Sequence, residues 1–296
     1  MRISLLSVLF TALLTLAAGQ TAQLIEQAAM FMEQGSLDEA LTMLNRAVTL
    51  SPEDPDVLYA RGLFYSRTGN YQLALTDLTR AIFLNPNNEM YYNERSTCYF
   101  EIGYLADAES DLSRALELNP EYGEAWFNRG IVYLGKGEHE KSVSDLNIAL
   151  ELVPDYADGW FYRGMARGFM EDYSGVLDDL TRAIELDPQS RSYYWHRALA
   201  YEYMDDFQSA LSDYDSVIEL DPQDTEAWFF KGKVYNELED WDSALECFDM
   251  VVQIDSTQAR GYYYRGRTLE RMGMEEEAAA DIERAYQLNP DMDPPD

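Results

Sequence analysis

The sequence is short of cysteine, histidine and basic residues, and each shortage removes a class of function. Two cysteines, Cys98 and Cys247, cannot build a disulfide framework. The two histidines, His139 and His196, lie far apart in the chain. Neither a His/Cys metal cluster nor a Cys–His catalytic pair is therefore expected. Only 22 Lys+Arg stand against 54 Asp+Glu, a formal net charge of −32. A phosphate backbone requires a basic stripe, so nucleic acid is excluded as a partner. An anionic lipid surface is disfavoured for the same reason. The chain contains no Asn-x-Ser/Thr acceptor for N-glycosylation. What it has in quantity is apolar: 47% hydrophobic and 13% aromatic residues over 296 positions, enough for a large core.

The long apolar run sits at the N-terminus. One Arg precedes an uncharged stretch over residues 3–18, followed by Ala17-Ala18-Gly19. That layout predicts a secretory signal peptide over residues 1–19, cleaved after Gly19. As a helix the run spans about 24 Å, short of the roughly 30 Å hydrocarbon core. Export to the periplasm or outside a bacterial cell is expected, with no membrane insertion of the mature chain.

Self-comparison of the remainder shows one period. Pro52, Pro86, Pro120, Pro154, Pro188 and Pro222 stand 34 residues apart; Ser256 interrupts the series and Pro290 resumes it. The frame divides 20–292 into units 21–54, 55–88, 89–122, 123–156, 157–190, 191–224, 225–258 and 259–292, with an acidic tail at 293–296. Within a unit, position 8 is always small (Ala28, Gly62, Ser96, Gly130, Gly164, Ala198, Gly232, Gly266). Positions 20 and 27 are mostly Ala. Apolar residues recur at helical spacing around them, which predicts two closely packed antiparallel helices per unit. Gly or an acidic residue at position 15 marks the turn, and Pro at position 32 stops the second helix.

These residues resemble the tetratricopeptide-repeat (TPR) family, whose signature is W-x2-L-G-x2-Y, then A-x3-F, then P. Unit four carries Trp126, Gly130, Tyr133 and Pro154; unit seven carries Trp228, Gly232, Tyr235, Ala244 and Phe248. The resemblance implies an all-α fold: a right-handed α-α superhelix of eight helix-turn-helix units, its concave face lined by first helices.

One departure from the family pattern is systematic. Position 7, usually Leu, is Arg61, Arg95, Arg129, Arg163, Arg197, Lys231 and Arg265 in units two to eight. Position 23 is Asp77, Asp111, Asp145, Asp179, Asp213 and Asp281 in the six units where position 7 is Arg. Positions summing to about 31 lie at one level of an antiparallel hairpin, so an Arg–Asp pair is predicted inside each of six units. Arginines at position 26 (Arg80, Arg114, Arg182, Arg284) are the competitors for the same Asp.

No catalytic, metal or cofactor site is expected. Gly130-x4-Gly135-Lys136 spells a phosphate loop, but Gly137 stands where Ser or Thr must hold magnesium. The resemblance places positions 2, 5, 6, 9, 12 and 13 of first helices in the groove. Position 5 then offers Tyr59, Phe127, Phe161, Trp195, Phe229 and Tyr263, and position 6 offers Tyr162, His196, Phe230 and Tyr264. These are peptide-groove candidates, with interior packing as the competing reading. Lys233, Arg260, Arg267 and Arg271 cluster on the same face near the C-terminal end and are candidates for a C-terminal carboxylate or acidic segment. Some family members clamp chaperone tails with Lys at position 5 and Asn at position 9. Neither residue occurs there in this chain, so that activity is not carried over.

The expected function is a non-enzymatic protein–protein interaction scaffold holding a peptide or partner segment in its groove. The alternative is a structural or assembly subunit of an envelope or secretion complex, using its ends and convex face. Tyr286 and Ile282, on the uncapped last helix, are the candidates for self-association.

Overall fold

The computed structural model describes residues 5–292, with side chains from residue 19 onward. Among these residues the chain forms sixteen helices in consecutive pairs and no strand. Two compact halves divide it, Met1–Pro154 and Asp155–Asp296. The first half contains α1 (Leu5–Glu33), α2 (Leu37–Leu50), α3 (Pro55–Arg67), α4 (Tyr71–Leu84), α5 (Glu89–Glu101), α6 (Leu105–Leu118), α7 (Gly123–Gly135) and α8 (His139–Leu152). The second contains α9 (Ala157–Phe169), α10 (Tyr173–Leu186), α11 (Arg191–Tyr203), α12 (Phe207–Leu220), α13 (Thr225–Glu237), α14 (Trp241–Ile254), α15 (Ala259–Arg271) and α16 (Glu275–Leu288).

The 34-residue frame and the helices coincide. Every even-numbered helix ends two residues before position 32, as the backbone restriction ahead of proline favours in seven repeats; α14 stops at the same place before Ser256. Position 15 is left-handed in all eight repeats: φ lies between 74° and 80° at Gly35, Gly69, Gly103, Gly137 and Gly273. It lies between 57° and 60° at Glu171, Asp205 and Glu239. The three side chains therefore occupy a backbone state that glycine adopts without steric cost, and all three belong to the second half.

Where position 8 is Gly62, Gly130, Gly232 or Gly266, the facing helix leaves no room for a Cβ, whereas Gly164 would meet only ordinary contact at 3.4 Å. A Cβ on Gly130 would stand 2.7 Å from Leu146 Cγ, and one on Gly232 would stand 2.8 Å from Phe248 Cε1. Alanines at positions 20 and 27, such as Ala74, Ala81, Ala210 and Ala244, are fully buried at the same seam.

All six Arg–Asp pairs form, each across its own hairpin. Arg95 Nε and Nη2 donate to the two carboxylate oxygens of Asp111, both at 2.7 Å. The same fork joins Arg61 to Asp77, Arg129 to Asp145, Arg163 to Asp179, Arg197 to Asp213 and Arg265 to Asp281. The position-26 arginines turn elsewhere: Arg80 to Glu53, Arg114 to Glu117, Arg182 to Glu185 and Arg284 to Gln287.

The position-7 residue also reaches position 25 of the preceding repeat. Arg61 Nη1 donates to Asn45, Arg95 to Thr79, Arg129 to Ser113, Arg197 to Thr181 and Arg265 to Asp249. Lys231, whose own hairpin offers Cys247, keeps only this second link, to Asp215 at 2.5 Å. Arg95, Arg129 and Arg197 are further sandwiched by aromatics at positions 4 and 11, as Arg129 is by Trp126 and Tyr133, while Arg61, Arg163 and Arg265 each meet one ring. A charge that looks isolated in the sequence thus registers a hairpin and its neighbour together.

The signal segment expected over residues 1–19 falls largely outside what the structure describes. Residues 1–4, the side chains of 5–18 and the tail 293–296 lie outside the described residues. Helix α1 passes Gly19 without a break. Among the described residues no helix is long and apolar enough to cross a membrane.

Candidate functional site

In the second half, positions 5 and 6 build an interleaved aromatic ladder. The ring of Phe161 at position 5 meets His196 at position 6 of the next repeat, centroids 5.2 Å apart. Trp195 meets Phe230 at 5.2 Å, and Phe229 meets Tyr264 at 5.0 Å. Tilted and edge-on geometry, favoured by the ring quadrupoles, recurs at every step. The ladder decides between groove and interior. Phe229 and Tyr263 are buried, as is Phe127 in the first half, so these three are packing residues and not groove contacts. Tyr59, Phe161, Tyr162, Trp195, His196, Phe230 and Tyr264 keep part of their surface accessible. Burial holds the His196 imidazole below its ordinary pKa, which favours the neutral ring.

Three of the four candidate cations come together. Lys233, Arg267 and Arg271 line a recess of about 370 Å³ between the seventh and eighth repeats, with Trp241, Tyr263 and Tyr264. Arg267 pairs with Glu270 at 2.5 Å, and Glu237 and Glu239 also line the recess. Among the described residues no carboxylate stands within ion-pair distance of Lys233 or Arg271. Arg260 does not belong to this group. It pairs with Glu226 and lies over the Phe229 ring, 4.5 Å from its centroid. Sequence position put four cations on one face, but position 2 lies about two helical turns, roughly 10 Å, from position 9, which separates the first from the rest.

The equivalent recess between the fifth and sixth repeats has opposite chemistry. It measures about 360 Å³ and is lined by Met165, Gly168, Val176, Leu199 and Tyr203, with His196 on one wall. Phe169 and Tyr203 at its mouth are 62% and 71% exposed. The Tyr203 ring stacks on Tyr173, centroids 5.0 Å apart. Nothing in the residue types at position 5 or 6 announces this recess; its signal is the glycine at position 12.

The first half carries polar groups on the corresponding face. Position 6 there is Glu26, Ala60, Glu94 and Asn128, against Tyr162, His196, Phe230 and Tyr264 in the second half. Asn93 donates to Glu124 and accepts from Asn128, tying three first-helix residues into one chain. Burial raises the Glu94 carboxyl, and burial with Glu94 and Glu124 nearby raises the Tyr59 phenol to about 12.

The remaining candidates resolve as structural. Gly130 is the packing glycine against Leu146, Gly137 is the left-handed turn, and Lys136 is held by Glu109 and Glu138. Cys98 and Cys247 are buried free thiols, raised by burial to about 11 and about 12. On the last helix Tyr286 is exposed, whereas Ile282 is half-buried beneath Gly266.

Family comparison agrees with this architecture. A model described as TPR repeat matches residues 28–69. Models described as tetratricopeptide repeat match 98–157 and 196–259, and 55–88 and 259–292. The chain is a tetratricopeptide-repeat protein. Among solved structures this TPR chain is similar to PilF of Pseudomonas aeruginosa, at TM-score 0.65 and 16% identity, over 73% of this chain and 99% of that one. A tetratricopeptide repeat protein from Parabacteroides merdae aligns at TM-score 0.59 and 21% identity, over 85% and 99%. YrrB, described as a TPR protein with an unusual peptide-binding site, aligns at TM-score 0.55 and 24% identity, over 60% and 92%. No match was found among curated protein sequences.

Proposed function

We propose that this TPR protein is an exported, non-enzymatic interaction scaffold that holds an extended peptide or partner segment along the first-helix face of its second half. The observation that carries this reading is the change at position 6, from Glu, Ala, Glu and Asn in the first four repeats to Tyr, His, Phe and Tyr in the last four. Partly accessible aromatic rings give a large contact area at small entropic cost, and the adjoining cationic recess supplies a polar anchor. The peptide-binding site described for YrrB supports the same use of the fold. Export rests on the apolar run and small residues preceding position 20, and places the partner in the cell envelope or outside the cell.

The test is crosslinking of the mature protein in its native envelope, with mass-spectrometric identification of the captured chain. His196→Ser and Arg267→Glu are expected to abolish capture, and Tyr286→Glu to leave it intact. The converse pattern would establish an assembly subunit working through its terminal helix.

A further inference from the structure

The turns of repeats five, six and seven differ from all the others. They read Phe169-Met170-Glu171-Asp172, Tyr203-Met204-Asp205-Asp206 and Glu237-Leu238-Glu239-Asp240, each with large apolar side chains ahead of two carboxylates. The first half has Glu33-Gln34, Arg67-Thr68, Glu101-Ile102 and Gly135-Lys136 ahead of its turn glycines. We propose that the turn edge of repeats five to seven is a docking surface for a basic amphipathic helix of a partner protein. It is a second contact surface, beyond the aromatic positions 5 and 6 of the groove.

Phe169, Met170, Tyr203, Met204 and Leu238 are all exposed. Stacking on Tyr173 holds the Tyr203 ring in place. Exposed apolar side chains gathered along one edge mark an interaction surface. The carboxylates carry a second signal. Where the other five repeats use glycine in the left-handed turn, Glu171, Asp205 and Glu239 hold φ between 57° and 60°. Helix capping does not require them. Asp172, Asp206 and Asp240, one residue later, already accept from the N–H groups of Gly175, Ser209 and Ser243. A strained side chain that serves neither the turn nor the cap points to a use outside the chain.

Charge complementarity chooses the occupant. The last turn of α9 carries one cation, Arg167, which is committed to Asp172 and Asp179, and α11 and α13 end with no basic residue. Lys233 and Arg271 approach only the seventh turn, through the recess they share with Glu237 and Glu239. The edge is therefore negative, most strongly at repeats five and six, and attracts Lys or Arg. A second copy of this chain, at net charge −32, is repelled from it. Spacing chooses the conformation. Packed helices lie on the order of 10 Å apart, and successive turns along the edge share that interval. Two turns of an α-helix rise about 10.8 Å, so every seventh residue of a helix meets the next turn. An extended strand returns to one face every ~6.7 Å and misses the interval. The helix that fits presents an apolar residue every seven positions, flanked by Lys or Arg.

The test displays random peptides of about 24 residues to the full mature chain, with counter-selection on a triple variant that combines Glu171→Gly, Asp205→Gly and Glu239→Gly. Relief of the left-handed strain should make that variant melt above wild type, so its loss of binding is not a loss of fold. Survivors are expected to carry apolar residues seven positions apart with Lys or Arg beside them. A synthesised survivor should gain helix on binding, by difference circular dichroism, and lose at least tenfold in affinity when salt is raised about tenfold. Tyr203→Ser should weaken it at least tenfold, and Tyr162→Ser in the groove should leave it unchanged. No survivors, survivors without basic residues at that interval, or survivors indifferent to Tyr203→Ser would overturn the docking edge and leave the groove reading standing. A triple variant that melts below wild type would contradict the strain on which the proposal rests.

Discussion

Repeats one to four and repeats five to eight share a backbone plan but treat the same helix face differently. In the first half, Asn93, Asn128 and Glu124 bond to one another along the first helices, so the polar groups of that face satisfy each other. In the second half, Phe161, Trp195 and Phe229 lean on the next repeat's position-6 ring and leave that ring partly open. The second half also holds the three non-glycine residues in left-handed turns, a departure from the least strained choice, and Gly168 in the last turn of α9. A repeat array permits this division. Each repeat answers mainly to its neighbours, so stability can be concentrated in one stretch and recognition in another.

The largest expected effect sharpens the contrast at position 23. Asp179 is 1% exposed and accepts from both Arg163 and Arg167, the latter at 2.9 Å. Asp179→Ala leaves two guanidinium groups facing a buried void and should destabilise the second half by about 3–5 kcal/mol. Asp77→Ala, which strands a single arginine, should cost less, and Asp215→Ala, removing a carboxylate that is 52% exposed, less again. Urea unfolding followed by far-ultraviolet circular dichroism measures the three.

A pair of glycine replacements should move stability in opposite directions. Gly130→Ala puts a Cβ 2.7 Å from Leu146 Cγ and should cost about 1–3 kcal/mol through overpacking. Gly168→Ala meets only ordinary contact and should stabilise by about 0.5–1 kcal/mol. Equal losses at both sites would contradict the distinction between a packing glycine and a recess glycine.

Glycine substituted at Glu171, Asp205 or Glu239 should stabilise by up to about 1 kcal/mol each, by removing the left-handed strain. The same experiment has no counterpart in the first half, where position 15 is already glycine. The smallest effect concerns His196. Its pKa is lowered in the folded chain, so the native state resists protonation. As pH falls through about 6.5, the unfolded chain takes up the proton first. His196 therefore contributes stability that is complete above pH 6.5 and declines below it until the folded pKa is passed. The melting-temperature difference between wild type and His196→Gln, measured from pH 7.5 to pH 5, should shrink or reverse toward acid.

Hairpins, turns and ion pairs were legible in the sequence because they depend on spacing within one repeat. The pairing of positions 7 and 23 follows from counting alone, and the absence of Asp opposite Lys231 was its internal control. Contacts between repeats were not legible. The second bond that Arg61, Arg95, Arg129, Arg197 and Arg265 make, to position 25 of the repeat before, depends on how successive hairpins stack. The same stacking buries Phe127, Phe229 and Tyr263 while leaving Phe161 and Trp195 partly open, although all five occupy position 5. Arg260 was grouped with the wrong neighbours because it shares their helix face but lies about two turns away along the axis. Gly168 gave a signal that spacing could not interpret, because a missing side chain becomes a recess only when a neighbouring repeat walls it.

A photocrosslinking scan along position 6 addresses the division of labour most directly. Benzoylphenylalanine placed singly at residues 60, 94, 128, 162, 196, 230 and 264 of the full chain, in its native envelope, should give one partner adduct. The expected adducts arise at 162, 196, 230 and 264, and disappear for 196 and 264 when Arg271→Glu is added. Adducts of equal yield at 60, 94 and 128 would contradict a recognition face confined to the second half.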